Sequence, residues 1–308
     1  MNQSKESIEE YIYSLGPLLA KTHVRTVSYF DERYPALLKE ITDPPPVLFY
    51  RGKLVNHKEA CVAIVGSRKM SSYGLLALPK ITSPLIDAGV TIVSGMAYGI
   101  DSAAHAQSLK LQSRTIAVLG SGVDDDSIYP RAHFKLAHEI LDNGGLIVSE
   151  QPPGTPGLKH HFVARNRIIA GLSLGVVIVE CKTKSGALLT ADFAADFNRN
   201  LYAVPGPIYS SLSEGPHQLI RDGAMLTTSG EEILDDLAIS INQLPLKTKQ
   251  KFSEIEQRVL ECMQDAPCSI DQLIDELNLS ANEIASTIVA LEIKGVIKNL
   301  GADNFIKI

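Results

Sequence analysis

KHHFVARNRIIAGLSLGVVIVECKTKSGALLTADFAADFNRNLYAVPG, residues 159 to 206, is the stretch that decides the fold. It opens with Lys159, Phe162, Arg165, Asn166 and Arg167, crowded against the start of the apolar run IIAGLSLGVVIVE. That run reads as a short helix, a turn at Gly175 and a strand buried on both faces, ending at Glu180 and Cys181. A loop carrying Lys182, Lys184, Ser185 and Gly186 follows, and ALLTADFAADF begins a second helix. Two clusters of cationic and small polar residues thus flank one strand at sheet-edge or helix-start positions. In an open α/β sheet such positions attract anions, through free backbone N–H groups and the helix dipole. Taken singly, Arg165 and Arg167 read as surface charges and Ser185–Gly186 as an ordinary helix cap. Recurrence of the pattern at the end of every earlier strand gives the whole its weight.

Working outward, the same strand–helix alternation fills the middle of the chain. Strands are predicted at CVAIVG, VTIVSG, TIAVLGSG, GLIVSE, GVVIVE and LYAVPG, with helical patterns such as DSAAHAQSLKLQ and RAHFKLAHEILDNG between them. Solidly apolar strands in repeated units indicate an α/β fold, an extended Rossmann-like, doubly wound parallel sheet. The strands finish in Gly66-Ser67-Arg68, Ser94-Gly95, Gly120-Ser121-Gly122, Ser149-Glu150 and Pro205-Gly206. Glycine lets backbone approach a ligand and serine adds a short donor. In a parallel sheet all these ends share one edge, so they can line one crevice. Asp101 reads as the N-cap of the helix that follows it, and His105 as a core or capping histidine. Pro79 and Pro84 predict a kinked or broken helix after the first of these strands.

The flanks are read as follows. Residues 1–30 form an amphipathic helix and a connection, a short N-terminal extension unable to build its own core. Pro44, Pro45 and Pro46 forbid a helix and suggest an extended strap. The Rossmann-like domain is placed at 31–239. Residues 240–252 have linker composition, and 253–308 read as three helices and a hairpin, a small winged-helix domain.

The formal net charge is −6 over 308 residues. Residues 253–308 carry four Lys and Arg against ten Asp and Glu, so they hold the whole imbalance and residues 1–252 are neutral. A neutral domain with clustered cations can still present a positive groove. No apolar run is long enough to span a bilayer, and the first thirty residues are too polar for a secretory signal, which predicts a cytoplasmic protein with no membrane partner. Cys61, Cys181, Cys262 and Cys268 lack C-x-x-C spacing and read as core thiols.

Motifs for chemistry are missing. Gly120-Ser121-Gly122 continues into Val123-Asp124-Asp125 with no third glycine, Lys184-Ser185-Gly186 lacks the loop of a Walker motif, and no G-x-S-x-G occurs. The adjacent His160 and His161 make a poor metal site, and the string Asp124-Asp125-Asp126 reads as a solvated turn. No acid–base or nucleophile–base pair stands out, so no catalytic residue, metal or cofactor is expected.

GSR at 66–68, SGMAYGID at 94–101, GSGVDDDSIYP at 120–130, SEQPPGT at 149–155, RNRIIAGLS at 165–173, KSGALLTA at 184–191, AVPG at 203–206 and LIRDGA at 219–224 together resemble the DNA-processing protein A (DprA/Smf) family. The likeness runs from about Tyr34 to Asp236. It implies a dimeric, non-catalytic protein that binds single-stranded DNA and hands it to the recombinase RecA in natural transformation. It also implies DNA contacts at Arg68, Lys159, Phe162, Arg165, Arg167 and Lys184, with Gly66, Ser67, Ser94, Gly95, Asn166, Ser185 and Gly186 completing the candidate site. Phe162 is the first candidate to stack a base, with Tyr98, Tyr129 and Phe134 behind it. The sequence departs from the family at Val163, where a proline is usual, and at Gly215-Pro216-His217, where Gly-Thr-Asn is usual. About thirty residues precede Tyr34, too few for the helical domain many members carry. The rival expectations are a small-nucleotide sensor and a phosphoribohydrolase-like enzyme on the same sheet edge, although the Pro-Gly-Gly-x-Gly-Thr signature of the latter is missing.

Overall fold

The computed structural model describes residues 4–239, 252–263, 267–277, 279–293, 296–301 and 304–307. The chain divides into two compact units, Met1–Asn242 and Gln243–Ile308. Of the stretch read as a linker, residues 240–251 lie outside the described residues.

The larger unit is built on nine strands: β1 (Arg25–Ser28), β2 (Val47–Gly52), β3 (Cys61–Val65), β4 (Thr91–Ser94), β5 (Thr115–Val118), β6 (Leu146–Ser149), β7 (Gly175–Ile178), β8 (Asn200–Ala203) and β9 (Met225–Leu226). Their order is β1-β2-β6-β5-β4-β3-β7-β8-β9. From β3 to β9 all pairings are parallel, while β2 runs antiparallel to β6 and β1 to β2. Every residue of β3 to β7 is buried, which is why these strands read as unbroken apolar runs.

Alternate strand residues feed two apolar layers. Ala63, Val65, Val93, Val118 and Ile178 face one layer, covered by α3 (Ala36–Lys39), α7 (Lys159–Gly171), α8 (Gly186–Asp196) and α9 (Glu214–Arg221). Val62, Ile64, Ile92 and Val177 face the other, covered by α4 (Ser72–Asp87), α5 (Ile100–Lys110) and α10 (Gly230–Asp236). The second layer continues over β5 and β6 beneath α6 (Phe134–Asp142), α1 (Lys5–Ser14) and α2 (Gly16–Thr22), where Ile8 packs with Phe49, Ile140 and Ile147. Helices on both faces of a mostly parallel sheet make the doubly wound fold that the sequence predicts.

Four details differ from the sequence reading. The first thirty residues hold two helices and β1, so the sheet begins before residue 31. The tri-proline segment leads straight into β2, whose first four residues are buried, rather than lying on the body as a strap. Gly175 is the first residue of β7, not a turn. Finally, α4 runs for 16 residues with Pro79 and Pro84 inside it. Leu78, Ile81 and Leu85, fully buried against the sheet, hold it through both prolines, since tertiary packing outweighs helix propensity.

The smaller unit comprises α11 (Glu254–Cys262), β10 (Cys268–Ser269), α12 (Ile270–Leu277), α13 (Ala281–Ile293), β11 (Ile297–Gly301) and β12 (Asn304–Lys307). A reciprocal Ser253–Glu256 capping box starts α11. The strands form an antiparallel sheet ordered β10-β12-β11. Ile284, Ile288 and Leu291 of α13 pack on Val259, Leu273, Ile297 and Phe305, as the winged-helix reading requires. Residues 302 and 303, the middle of the turn read between the last two strands, lie outside the described residues.

Candidate functional site

β3 pairs with both β4 and β7. The chain leaves β3 through α4 toward β4, and reaches β7 from the far side of the sheet through α7. At this reversal the helices diverge and the carboxyl ends of β3 and β7 border a gap. A crevice of about 1160 Å³ opens there. Its walls are Gly66 to Lys69 after β3, Lys182 to Ala187 ahead of α8, and one stripe of α7.

Spacing on α7 sets that stripe. Lys159, Phe162, Asn166 and Ile169 recur at intervals of three and four, so they share a face, and all line the crevice. The helix begins at Lys159, so the basic cluster lies within it rather than ahead of it. The Phe162 ring sits 5.3 Å from that of Tyr129, tilted by 36°, with the Arg68 guanidinium 6.0 Å from its centroid. Asn166 donates from Nδ2 to the Gly186 carbonyl at 3.1 Å, joining α7 to the first turn of α8. Ser185 caps that turn, accepting from the Ala187 N–H at 3.2 Å. The turn after β3 is held in its own way: the Ser67 N–H donates to the Glu180 carbonyl at 2.7 Å, and the Glu180 carboxylate accepts from Ser71 N–H and Oγ at 2.7 and 2.5 Å.

Arg165 forms the floor. Its side chain is buried, and Nη1 donates to the carbonyls of Gly95, at 2.6 Å, and Val118, while Nε donates to Asn166 Oδ1 at 3.3 Å. The guanidinium occupies the space a Cβ on residue 95 would need, so only glycine fits there. Burial pulls the Arg165 pKa down to about 10, aided by the like charge of Arg68 and opposed by Asp101. Asp101 is the buried counter-charge. Burial pushes its carboxyl above the usual range, against the pull of Arg165 and of the N–H groups of Ala97 and Gly95. It is not the N-cap of α5: Gly99 holds that position, and the Asp101 carboxylate accepts from the Gly95 N–H at 3.2 Å. His105 lies in the core, donating from Nδ1 to Thr115 Oγ1 at 2.8 Å, and burial takes its pKa down to about 3.

Of the residues singled out in the sequence, Gly66, Ser67, Arg68, Lys159, Phe162, Arg165, Asn166, Lys184, Ser185 and Gly186 meet at the crevice. Ser94 and Gly95 do not line it. Ser94 is buried with its hydroxyl donating to the Ile64 carbonyl at 2.6 Å, and Gly95 makes room for Arg165. Arg167 does not line it either: its guanidinium pairs with Glu150 at 2.6 Å and Asp43 at 3.4 Å. Two positions along a helix turn a side chain by about 200°, so Arg165 and Arg167 point apart. The structure adds Lys69 to the lining, and brings there Lys182, named only as part of its loop, and Tyr129, named only as a secondary stacking candidate. Lys69 follows Gly66-Ser67-Arg68 directly, so charge adjacent to the motif was the available signal.

The switch point of this open α/β sheet thus gathers exposed cations, aromatic rings and the N-terminus of α8 along one crevice. The chain belongs to the DNA recombination-mediator protein A family, which matches residues 25–238, and a DprA winged helix domain matches residues 245–302. It is 39% identical over 273 residues to Protein Smf of Escherichia coli, covering 86% of this chain and 72% of that protein. The X-ray structure of DNA processing protein A from Streptococcus pneumoniae superposes with a TM-score of 0.67 at 41% identity, covering 77% of this chain and 83% of that one. DNA processing protein A from Helicobacter pylori, whose structure describes a single-stranded DNA binding mode, superposes at 0.61 with 29% identity, over 70% of this chain and 95% of that one. Among the described residues no helix is long and apolar enough to cross a membrane.

Proposed function

We propose that the crevice binds single-stranded DNA along its phosphate backbone, and that the protein serves DNA processing in natural transformation. One observation carries this: Arg68, Lys69, Lys159, Lys182 and Lys184 are all exposed, line a single crevice, and form no ion pair among the described residues. They surround the Phe162–Tyr129 pair, and single strands are held by cations tracking phosphates beside aromatic faces. With phosphate contacts dominant, binding has little sequence preference. The H. pylori relative's single-stranded DNA binding supports the same reading.

No bond chemistry is assigned to the site. The protein acts by holding the strand, and the recombinase RecA is the partner to which it passes it. A second copy pairs at β9, the last strand of the sheet among the described residues, where Met225 and Leu226 are exposed, since an edge strand with apolar side chains favours association. The protein works in the cytoplasm.

Fluorescence anisotropy with oligo-dT and with duplex DNA, alongside incubation with ATP and AMP, tests the proposal. Binding to oligo-dT, weakened by Arg68→Ala, with no nucleotide turnover is expected. Preference for duplex, or turnover lost in Lys184→Ala, overturns it in favour of a nucleotide enzyme.

A further inference from the structure

The lip of the crevice continues past Ala97 into a second aromatic surface. Between β4 and α5 the chain makes a short loop in which Met96, fully buried, has φ 57° and Gly99 has φ 77°. Left-handed backbone at a methionine is a local cost of about 1 kcal/mol that surrounding contacts must sustain. Those contacts are visible. A Cβ at residue 99 would collide with the carbonyl of Ser67 and the backbone of Arg68, and the Ile100 N–H donates to the Ser67 carbonyl at 3.1 Å. The loop is therefore fixed to the Arg68 wall of the crevice, and the side chain it presents to solvent is Tyr98, 47% exposed.

Tyr98 is braced. The His133 ring meets it edge-on, with centroids 4.9 Å apart and planes at 62°. His133 is itself held by the same loop, through Nδ1 to the Met96 carbonyl at 2.8 Å. A carbonyl only accepts, so Nδ1 carries the proton. Beside it Arg131 lies 4.4 Å over the Phe134 ring, and adds a cation. An exposed aromatic whose loop and neighbour are both locked binds a planar partner with little loss of freedom.

We propose that Tyr98, braced by His133, is a stacking platform for a base of a single DNA strand that leaves the crevice toward the ends of β4 and β5. The proposal rests on the crevice holding the phosphates of that strand. On the β8 side the exposed aromatics Tyr73 and Tyr209 have no ring contact among the described residues, which favours the Tyr98 side as the exit.

The test uses the full chain and two labelled strands of about twelve positions, within the usual site sizes, one of dT and one abasic throughout. Tyr98→Ala is expected to weaken dT binding about ten-fold, the size alanine substitution gives at stacking aromatics, and to leave the abasic strand within about two-fold. Tyr98→Phe retains dT affinity. His133→Ala, which frees the ring without removing it, gives a smaller loss confined to dT. Unchanged dT affinity in Tyr98→Ala, or equal losses on both strands, overturns the proposal. The crevice itself fails by a different result, Arg68→Ala leaving both strands unaffected, because a phosphate contact must act with or without bases.

Discussion

The side-chain amide of Asn166 reaches across from α7 to the Gly186 carbonyl at 3.1 Å, so one helix sets where the first turn of the next can stand. That turn carries the backbone N–H groups and the Lys184–Ser185 approach facing the crevice. Asn166→Ala removes this hydrogen bond and the one Oδ1 accepts from Arg165 Nε, together worth about 2 kcal/mol. A fall in melting temperature of about 4–8 °C follows for a domain of this size. Oligo-dT affinity falls while the salt slope stays constant, because no charge is lost. Unchanged affinity in a folded variant means that the α8 turn does not contact the strand.

Salt dependence follows from the count of cations. Five exposed cations line the crevice, and if about four neutralise phosphates the slope of log affinity against log salt is about −3, at roughly −0.7 per contact on single strands. Anisotropy titrations across a range of ionic strengths measure it. A slope near zero is incompatible with a phosphate-holding crevice.

Arg68 and Arg167 separate binding from folding. Arg68 is exposed at the crevice, so Arg68→Ala weakens all single strands to a similar extent and leaves thermal stability nearly unchanged. Arg167 pairs with Glu150, and both side chains are largely buried, at 12% and 16% exposed. Arg167→Ala strands the Glu150 carboxylate, costing about 1–3 kcal/mol of stability with affinity per folded molecule retained. The reverse pattern would place the DNA on the Glu150 side of the sheet.

The contrast marks how far the sequence could be read. β3 to β8 were legible because strands covered on both faces must be apolar throughout or nearly so. β1, with Arg25 exposed and Val27 buried, is a short alternating edge strand whose pattern fades into a loop. The crevice was legible as a sheet edge rich in Gly, Ser and cations. Its division of labour was not. Two arginines in RNR look equivalent as letters, yet the helix turns one beneath the strand ends and the other toward two carboxylates. Asp101 was hidden for a similar reason. Its place near a helix start suggests a cap, whereas Gly99 with φ 77° takes that position and directs the carboxylate to the Gly95 N–H.

Arg165 is expected to govern stability and its pH dependence. Arg165→Met removes the opposing charge that Asp101 senses and the hydrogen bonds donated to the Gly95 and Val118 carbonyls, and is destabilising at neutral pH. Asp101 has its pKa raised by burial above the ordinary 3.8. The folded state therefore holds the proton more tightly than the unfolded state, and stability falls as pH rises from 3.8 through the folded value. Losing Arg165 extends that window upward. Urea midpoints measured between about pH 4 and pH 7 should fall more steeply in Arg165→Met than in the wild type. Parallel profiles would mean that Asp101 does not sense the guanidinium.

The smaller unit should contribute little to DNA affinity despite a fold often used for it. Winged helices commonly set their third helix in the major groove, with Arg and Lys reaching bases and phosphates. Here that helix is α13, whose exposed side chains include Glu283, Glu292, Asn282, Ser286 and Val289. Its Ile284, Ile288 and Leu291 are committed to the unit's own core. Lys294, next after the helix, lies outside the described residues. Residues 253–308 carry a net −6, which opposes a phosphate backbone at any ionic strength where binding is usually measured. A chain truncated after Lys251 is therefore expected to keep oligo-dT affinity within about two-fold and the same salt slope, since the cations that set the slope lie in the larger unit. The separate unit 253–308, if folded by circular dichroism, should bind neither single strands nor duplex, leaving a protein partner as the use for its acidic face. Loss of affinity in a truncated chain that remains folded would show that the smaller unit touches DNA.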